Sequence, residues 1–436
     1  MPTAAAPVSR RQENSDVLSR FNLVAEQAIL FLSCATLGFA VLAFGATQEW
    51  AVCALECGAA VLFALWAWYQ LSLQRIRLTS PALIPALLLL SLPLLQLCTE
   101  RTAYAYATRY ELMKWIAYGV FFLIASELSS NPSARKFLAI AITAFGSLYA
   151  LFSMIQGFTC PADLLYGLVK THGSGFGSYT NRNHYAGLME MVLPFGLVTS
   201  SFLFAPNALR GLSIFGSLVM LTSIFASGSR GGMISAAVAL CIFIYYQVRR
   251  RSARTRVRVI LLAVLACGFI TFFAYDRVKT RSVVEATDSM RLQIARDSIQ
   301  LVAKHPILGS GLGTFPTVYP EVRTFPTDLF VNAAHNDYVQ LVVETGLLGL
   351  LFAAAFLALV FRNVSLHLRR TQTDWFSAVS LAAMIGSIAL LIHSFVDFNL
   401  QIPANAATFT FLLGLASARP REDERINARS ARESDG

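Results

Sequence analysis

The chain has 436 residues, of which 56% are hydrophobic and 14% charged, and its mean hydropathy is +0.57. Because a soluble domain usually carries about 25% charged residues, this composition excludes a soluble enzyme, a disulfide-rich secreted domain and a disordered chain. Six of the seven cysteines lie in apolar runs and only Cys160 lies in a predicted loop. We therefore expect no disulfide framework and no cysteine-based metal site.

The apolar residues come in repeated runs of about 17 to 25 residues, the length that a helix needs to cross a bilayer. Since lipid offers an open backbone no hydrogen-bond partner, each run has to form a helix. The sequence therefore predicts an all-α polytopic membrane protein with about 12 transmembrane helices. Their predicted ranges are 24–44, 49–69, 82–98, 112–129, 136–158, 184–205, 209–228, 231–247, 257–275, 337–361, 375–396 and 402–418.

The distribution of Lys and Arg predicts the orientation of these helices. With a cytoplasmic N-terminus, 22 of the 35 basic residues lie on the inner side and 13 on the outer side. Seven of those 13 lie in the long connection 276–336, to which the positive-inside rule applies poorly. Without this connection, 22 basic residues lie on the inner side and 6 on the outer side, a bias that places both termini in the cytoplasm. The same topology accounts for the basic run 249–258 and for the net charge of +10, so we expect no nucleic-acid partner.

This topology divides the chain into five predicted parts. They are a cytoplasmic N-terminal segment (1–23), transmembrane helices 1–9 (24–275), a large outer loop (276–336), transmembrane helices 10–12 (337–418) and a disordered cytoplasmic tail (419–436).

The large outer loop is predicted to contain an amphipathic helix. Asp288 and Ser289 are suitable N-cap residues for a helix that runs to about Lys304. An apolar stripe at helical spacing would place this helix on the outer membrane surface. The stripe consists of Leu292, Ala295, Ile299 and Val302. Arg291 would lie in the first turn of this helix, where a cation is unfavourable because it opposes the helix dipole. Helix stability therefore does not explain Arg291, which is either a solvated residue or a ligand contact.

Three helices are predicted to begin at the outer face close to cationic residues. They begin near Arg182 and His184, near Arg230 in the run SGSRGG, and directly after His335 and Asn336. Helix N-termini offer free amide donors and partial positive charge, which favour an anion such as phosphate or pyrophosphate. Arg230 would lie at the membrane surface, where a charge is costly without a partner or a function. The alternative for Arg230 is an interfacial side chain that reaches the lipid headgroups.

Further polar residues are predicted on the same face. His335 would share a helix face with Tyr338 and, as a neutral imidazole, could accept a proton; its alternative is a helix cap. Glu344 would lie about two turns inside the membrane and needs a partner such as an Arg or a backbone donor. His393 could pair with Asp397 or line an acceptor site. Lys114, at the outer start of helix four, is a further possible phosphate contact.

Four stretches in this order resemble the signature of the O-antigen ligase and polymerase superfamily. They are GSYTNRNHYAGLMEMVLPFGL at 177–197, SGSRGG at 227–232, the segment from Met290 through HPILGSGLGTF at 305–315, and AHNDYVQLVVETGLLGLL at 334–351. The resemblance implies a membrane-embedded glycosyltransferase of GT-C-like fold, with its active site on the periplasmic side of the bacterial inner membrane. It also implies catalysis without a metal or other cofactor. By motif, Arg230, Arg291 and His335 take the places of the family's essential arginines and histidine.

The resemblance further implies the substrates. The donor would be a glycan on undecaprenyl pyrophosphate, and in-line attack would invert the anomeric configuration. The acceptor would be lipid A-core for a ligase, or another lipid-linked glycan for an O-antigen or exopolysaccharide polymerase, with membrane lipids around both. A secondary transporter is a more distant alternative, since the chain shows no internal repeat and its polar residues gather at one surface rather than at mid-membrane.

Overall fold

The computed structural model describes residues 8–73, 80–130, 132–161, 163–170, 175–202, 207–248, 283–328, 330–370 and 375–419. The predicted ninth transmembrane helix at 257–275 and nearly all of the predicted tail at 419–436 lie outside the described residues.

The described residues form thirteen α-helices and one short hairpin. The helices are α1 (Val8–Leu42), α2 (Glu49–Ser72), α3 (Leu83–Cys98), α4 (Ala105–Leu128), α5 (Pro132–Thr159), α6 (Arg182–Phe202), α7 (Asn207–Ser227), α8 (Arg230–Val248), α9 (Val283–Lys304), α10 (Phe315–Val318), α11 (Asp337–Arg370), α12 (Trp375–His393) and α13 (Pro403–Ser417). The antiparallel hairpin joins β1 (Leu164–Leu165) to β2 (Val169–Lys170).

Seven of the described helices are long and apolar enough to cross a membrane, which confirms an all-α polytopic membrane protein. The spans are Val24–Leu42, Glu49–Ser72, Ser133–Thr159, Arg210–Ser227, Arg230–Val248, Asp337–Leu368 and Trp375–His393. The predicted spans at 82–98, 112–129, 184–205 and 402–418 also form helices, but these are not among the seven. Helices α3 and α13 have only 16 and 15 residues, and α4 and α6 carry charged residues along their length.

Helix α12 lies at the centre of the bundle. In its apolar window 78% of the residues are buried, against 22–39% in the other six spans. It packs against α6, α8 and α13, while α13 packs against α4 on its other side. The loop that follows α12 is therefore surrounded by the ends of several helices.

Three helices begin earlier than the hydropathy pattern predicts. Helix α1 begins at Val8, inside the segment 1–23 that was expected to be separate from the membrane helix. Helix α4 begins at Ala105, so Lys114 lies in its third turn rather than at its start. Helix α9 begins at Val283, so Arg291 lies two turns inside it. Charged residues bounded the predicted first and fourth spans and predicted caps began the loop helix, but these helices extend beyond those boundaries.

Helix α9 buries a different face from the predicted stripe. Ile294 and Leu301 pack in a small second core with Phe315 and Tyr319. Leu292 and Ile299, which belong to the predicted stripe, are exposed. Val302, also from the predicted stripe, packs against this second core, so only Leu292 and Ile299 of the stripe are left exposed, and the placement of the helix on the membrane surface stays a prediction.

Helix α11 is broken at Gly346, and the segment that follows α9 packs into the break. Gly346 has φ +67° and ψ −170°. The N–H groups of the next two residues donate to the carbonyls of Pro306 and Ile307, at 2.8 and 3.3 Å. Gln96 of α3 donates to the carbonyls of Leu308 and Glu344, at 2.6 and 2.8 Å. The backbone groups freed by the break are therefore satisfied, as burial in a membrane protein requires.

We expect Gly346→Ala to destabilise the protein by about 2–3 kcal/mol, because its backbone conformation is close to glycine-only. A Cβ at this position would also lie 2.2 Å from the Ile307 carbonyl oxygen. Gly211→Ala is the matched control, since a Cβ there meets no atom within 4 Å. Thermal unfolding in detergent measures both variants, and equal midpoints would contradict the described break.

Candidate functional site

The candidate site lies at the end of the bundle where α6, α8 and α11 begin and α12 ends. Its centre is the buried carboxylate of Asp397 in the loop that follows α12. The side-chain amide of Asn183 donates to Asp397 Oδ2 at 2.5 Å. His184 Nε2 lies 3.5 Å from Oδ1, and Arg291 Nη2 lies 3.7 Å from Oδ2. Burial alone would raise the pKa of Asp397, but His184 and Arg291 hold it well below its usual range.

Arg291 reaches from α9 into this loop. Its Nη1 donates to the carbonyl of Val396 at 2.8 Å, and the side chain retains 26% of its exposure. Its Nε is buried without a hydrogen-bond partner among the described residues. The guanidinium is therefore held in place by the loop and still has a donor to offer a ligand.

Two histidines flank the ring of Phe398. The rings of His184 and His335 make edge contacts with it, at centroid distances of 4.7 and 4.8 Å. His335 has φ +51°, a conformation uncommon for residues other than glycine, and α11 begins two residues later. The prediction that His335 shares a helix face with Tyr338 is therefore wrong: Asn336 caps α11, and His335 precedes the helix.

His335 is neutral at physiological pH in this environment. Burial, with the positive charge of Arg291 and the neighbouring His184, lowers the pKa of His335 to about 4. Its Nδ1 is buried and has no hydrogen-bond partner within the described ranges. The ring is thus a free base, and a nearby anion would strengthen it.

The start of α8 packs directly against the same loop. A Cβ on Gly231 would lie 2.5 Å from the imidazole of His393 and 3.1 Å from the Val396 side chain, so only glycine allows this approach. The neighbouring Arg230 is the exposed first residue of α8. The Val396 carbonyl also accepts the Arg291 side chain, so the start of α8 and Arg291 both contact this short segment.

Arg182 lies close to the turn that leads into α8. Its Nη1 is 3.7 Å from the position that a Cβ on Gly228 would occupy. Arg182, Arg230 and Arg291 thus approach the same end of the bundle from α6, α8 and α9. Within the described part of the chain, no group of three or more His, Cys, Asp or Glu residues could hold a metal ion.

His393 has a different partner from the predicted one. Its Nδ1 lies 3.2 Å from both carboxylate oxygens of Glu190, and both residues are fully buried. The predicted pair with Asp397 is wrong, because α12 ends at His393 and the following turn directs Asp397 towards His184. Through the contact between His393 and Gly231, the Glu190–His393 pair supports the start of α8.

Asn336 and Tyr338 fix the start of α11 to this loop. Asn336 Nδ2 donates to the Phe395 carbonyl at 2.9 Å, and its Oδ1 accepts from the N–H of Tyr338 at 3.0 Å. The Tyr338 hydroxyl donates to the Leu391 carbonyl at 2.7 Å, and its ring packs on Phe395 with centroids 4.4 Å apart. Both side chains thus make internal contacts beside the arginines.

Glu344 and Lys114 are not among the residues in contact with Asp397 or Phe398. Glu344 accepts the N–H groups of Gly313 and Phe315, at 2.9 and 3.3 Å, which confirms the expected backbone donors. Lys114 pairs with Glu111 on the same helix. These contacts place Glu344 under the loop inserted at the α11 break and leave Lys114 engaged in α4.

Sequence reasoning missed four residues that build the site. Gln96 and Glu190 could have been noticed, because isolated polar residues inside apolar helices need partners. Asn183 lies between Arg182 and His184, which were both predicted as site residues. Phe398 had no sequence signal, since its role depends on how the loop after α12 brings two distant histidines to one ring.

The fold and the site define a polytopic α-helical membrane protein with a cationic, histidine-containing centre at one end of the bundle. Residues 215–354 match the model of the family described as O-antigen ligase. The match includes Arg230, Arg291 and His335, confirms the resemblance to the O-antigen ligase and polymerase superfamily, and indicates activity of the ligase or polymerase type. No curated protein matches the chain.

Proposed function

We propose that the protein is an O-antigen-ligase-like glycosyltransferase of the bacterial inner membrane. It moves a glycan from undecaprenyl pyrophosphate to a hydroxyl of lipid A-core at the periplasmic face, with both termini in the cytoplasm. The observation that carries this proposal is the convergence of Arg291, His335 and the start of α8, which Arg230 opens, on the short segment from Val396 to Phe398.

The arginines suit a pyrophosphate leaving group. The bond between the anomeric carbon and the pyrophosphate oxygen breaks, and charge grows on the phosphate oxygens. Arg230 and Arg291 bind these oxygens through their planar donor groups. Preorganised charge in a site with little water is often the largest catalytic contribution, so the centre needs neither a metal nor another cofactor.

His335 is the proposed general base. The acceptor oxygen forms the new bond to the anomeric carbon while its proton passes to His335. Because this attack is in line with the leaving group, the configuration of the anomeric carbon is inverted. Such a base contributes roughly 10²–10⁴-fold to the rate. Asp397 orients the centre through Arg291 and His184 and compensates part of the charge on Arg291.

Pyrophosphate should raise the pKa of His335, because an anion beside the ring favours its protonated form. In the free protein the pKa of about 4 keeps the ring neutral above pH 5. NMR titration of protein with isotopically labelled histidine should show this resonance moving to higher pH when inorganic pyrophosphate is added. His335→Gln identifies the resonance. A pKa that does not change at saturating pyrophosphate would contradict placement of the diphosphate next to His335.

The function is tested with purified protein in liposomes that contain lipid-linked oligosaccharide and EDTA, with and without lipid A-core. We expect transfer to lipid A-core by the wild type, loss of transfer in His335→Ala, and normal transfer in His305→Ala, which changes an exposed loop histidine. If the protein instead forms a ladder of longer lipid-linked glycans without lipid A-core, it is a polymerase and not a ligase. Absence of turnover with either substrate would overturn the glycosyltransferase and favour a transporter.

A further inference from the structure

A half-open cleft lies in the loop that follows α10, apart from the arginine centre. Its volume is about 240 Å³, comparable to a single sugar ring with its hydroxyl groups. Three polar residues and three apolar residues provide most of its lining, namely Arg323, Thr327, Asp328, Pro320, Phe330 and Val331.

The lining offers both an apolar surface and polar groups, which match the C–H face and the hydroxyl groups of a sugar ring. Phe330 is 76% exposed, although burial of an aromatic side chain is strongly favourable. Its ring therefore offers an uncovered apolar face for the C–H face of a sugar. Asp328 is exposed and supplies acceptors for hydroxyl groups. Arg323 Nη1 is 3.5 Å from the Thr327 carbonyl, the long limit of a hydrogen bond, so its donors stay available.

The wall of the cleft is joined rigidly to the helix that carries Arg291. The Tyr319 hydroxyl donates to Asp297 Oδ2 at 3.1 Å. Thr324 donates to the same carboxylate through its N–H at 3.1 Å and through its hydroxyl at 2.9 Å. Asp297 is buried and follows Arg291 by six residues on α9, a rise of about 9 Å.

The cleft and Arg291 are thus attached to the same helix, and a glycan of several sugar units can contact both. We propose that the cleft formed by Arg323, Asp328 and Phe330 is a saccharide subsite that binds a sugar of the acceptor or donor glycan next to the transfer centre. This inference rests on the proposed function, because it assumes that the arginine centre transfers a glycan.

Direct binding tests the subsite without turnover. The full-length protein in lipid nanodiscs is titrated with two probes and observed by saturation-transfer NMR. One probe is the glycan released by mild acid from the lipid-linked donor, and the other is the core oligosaccharide released from the acceptor lipid. We expect at least one probe to bind, and Phe330→Ala to weaken it about tenfold. The probe that responds identifies the source of the sugar.

The matched control is Leu168→Ala, which removes another highly exposed apolar side chain (85% exposed) from a different loop. Its affinity should equal that of the wild type. In the transfer assay, Phe330→Ala and Asp328→Asn should raise the KM for the responsive substrate about tenfold while kcat is unchanged. Failure of both probes to bind, or wild-type affinity and KM in both cleft variants, would overturn the subsite. Loss of transfer in the wild type would instead overturn the proposed function.

Discussion

Arg291→Ala is expected to reduce glycan transfer by about 10³-fold or more, the effect typical of removing a charge that stabilises a phosphoryl leaving group. Arg291 is bonded to the Val396 carbonyl, faces Asp397 and keeps its Nε free of protein partners among the described residues. Its loss removes the proposed contact with the leaving group and leaves the buried carboxylate of Asp397 with less compensation.

Two further variants separate this role from a general effect of charge. Arg291→Lys keeps the positive charge but lacks the planar donor group, so we expect only partial recovery of the rate. Arg296→Ala changes an exposed arginine on the same helix and should transfer glycan at the wild-type rate. Initial rates in proteoliposomes measure all three. Equal rates for Arg291→Ala and Arg296→Ala would remove Arg291 from the centre.

Arg135 is expected to give the largest effect on stability. It is fully buried near the start of α5. It donates to the carbonyls of Ser129, Phe376 and Leu415 at 2.6, 2.8 and 2.7 Å, and its guanidinium lies 3.6 Å from the centre of the Phe376 ring. One side chain thus joins α5 to the end of α4, the start of α12 and the end of α13. Replacement by methionine removes the hydrogen bonds to all three buried carbonyls, at an expected cost of about 3–5 kcal/mol.

Thermal unfolding in detergent measures this cost. Lys136→Met is the control, because it places the same side chain at the exposed neighbouring position and should leave the midpoint unchanged. Arg135 contacts the start of α12, whereas the arginine centre lies at the other end of that helix, so folded Arg135→Met should transfer glycan normally. An unfolding midpoint equal to that of the wild type would contradict the role of Arg135 as the link between these helices.

The sequence was sufficient to predict the membrane-spanning class, most helices and the convergence of Arg230, His184 and His335 at one end of the bundle. Those predictions depend on run length and on the positions of helix starts, which are local properties. The predicted start of α4 was wrong because Thr108 in its added first turns bonds to the Leu312 carbonyl, a contact between distant segments that a local pattern does not show.

The contacts inside the site depend on a segment without regular structure, which has no periodicity to interpret. One of the two predicted roles of His393 was a pair with Asp397, because a continuous helix would bring them together; the other was to line an acceptor site. The helix ends at His393 instead, so His393 faces Glu190 while Asp397 turns towards Arg291. The break in α11 was also missed, because Gly346 begins an apolar run and a single glycine is common inside membrane helices.

In the proposed mechanism, Arg230 and Arg291 bind one diphosphate between them. A double-mutant cycle on binding distinguishes this shared site from two independent contacts. Dissociation constants for undecaprenyl pyrophosphate in nanodiscs are measured for wild type, Arg230→Gln, Arg291→Gln and the double variant. If both arginines grip the same group, each single change should weaken binding, and the double variant should depart from the product of the two losses by about threefold or more. Losses that multiply within error, or a single variant with wild-type affinity, would contradict the shared site.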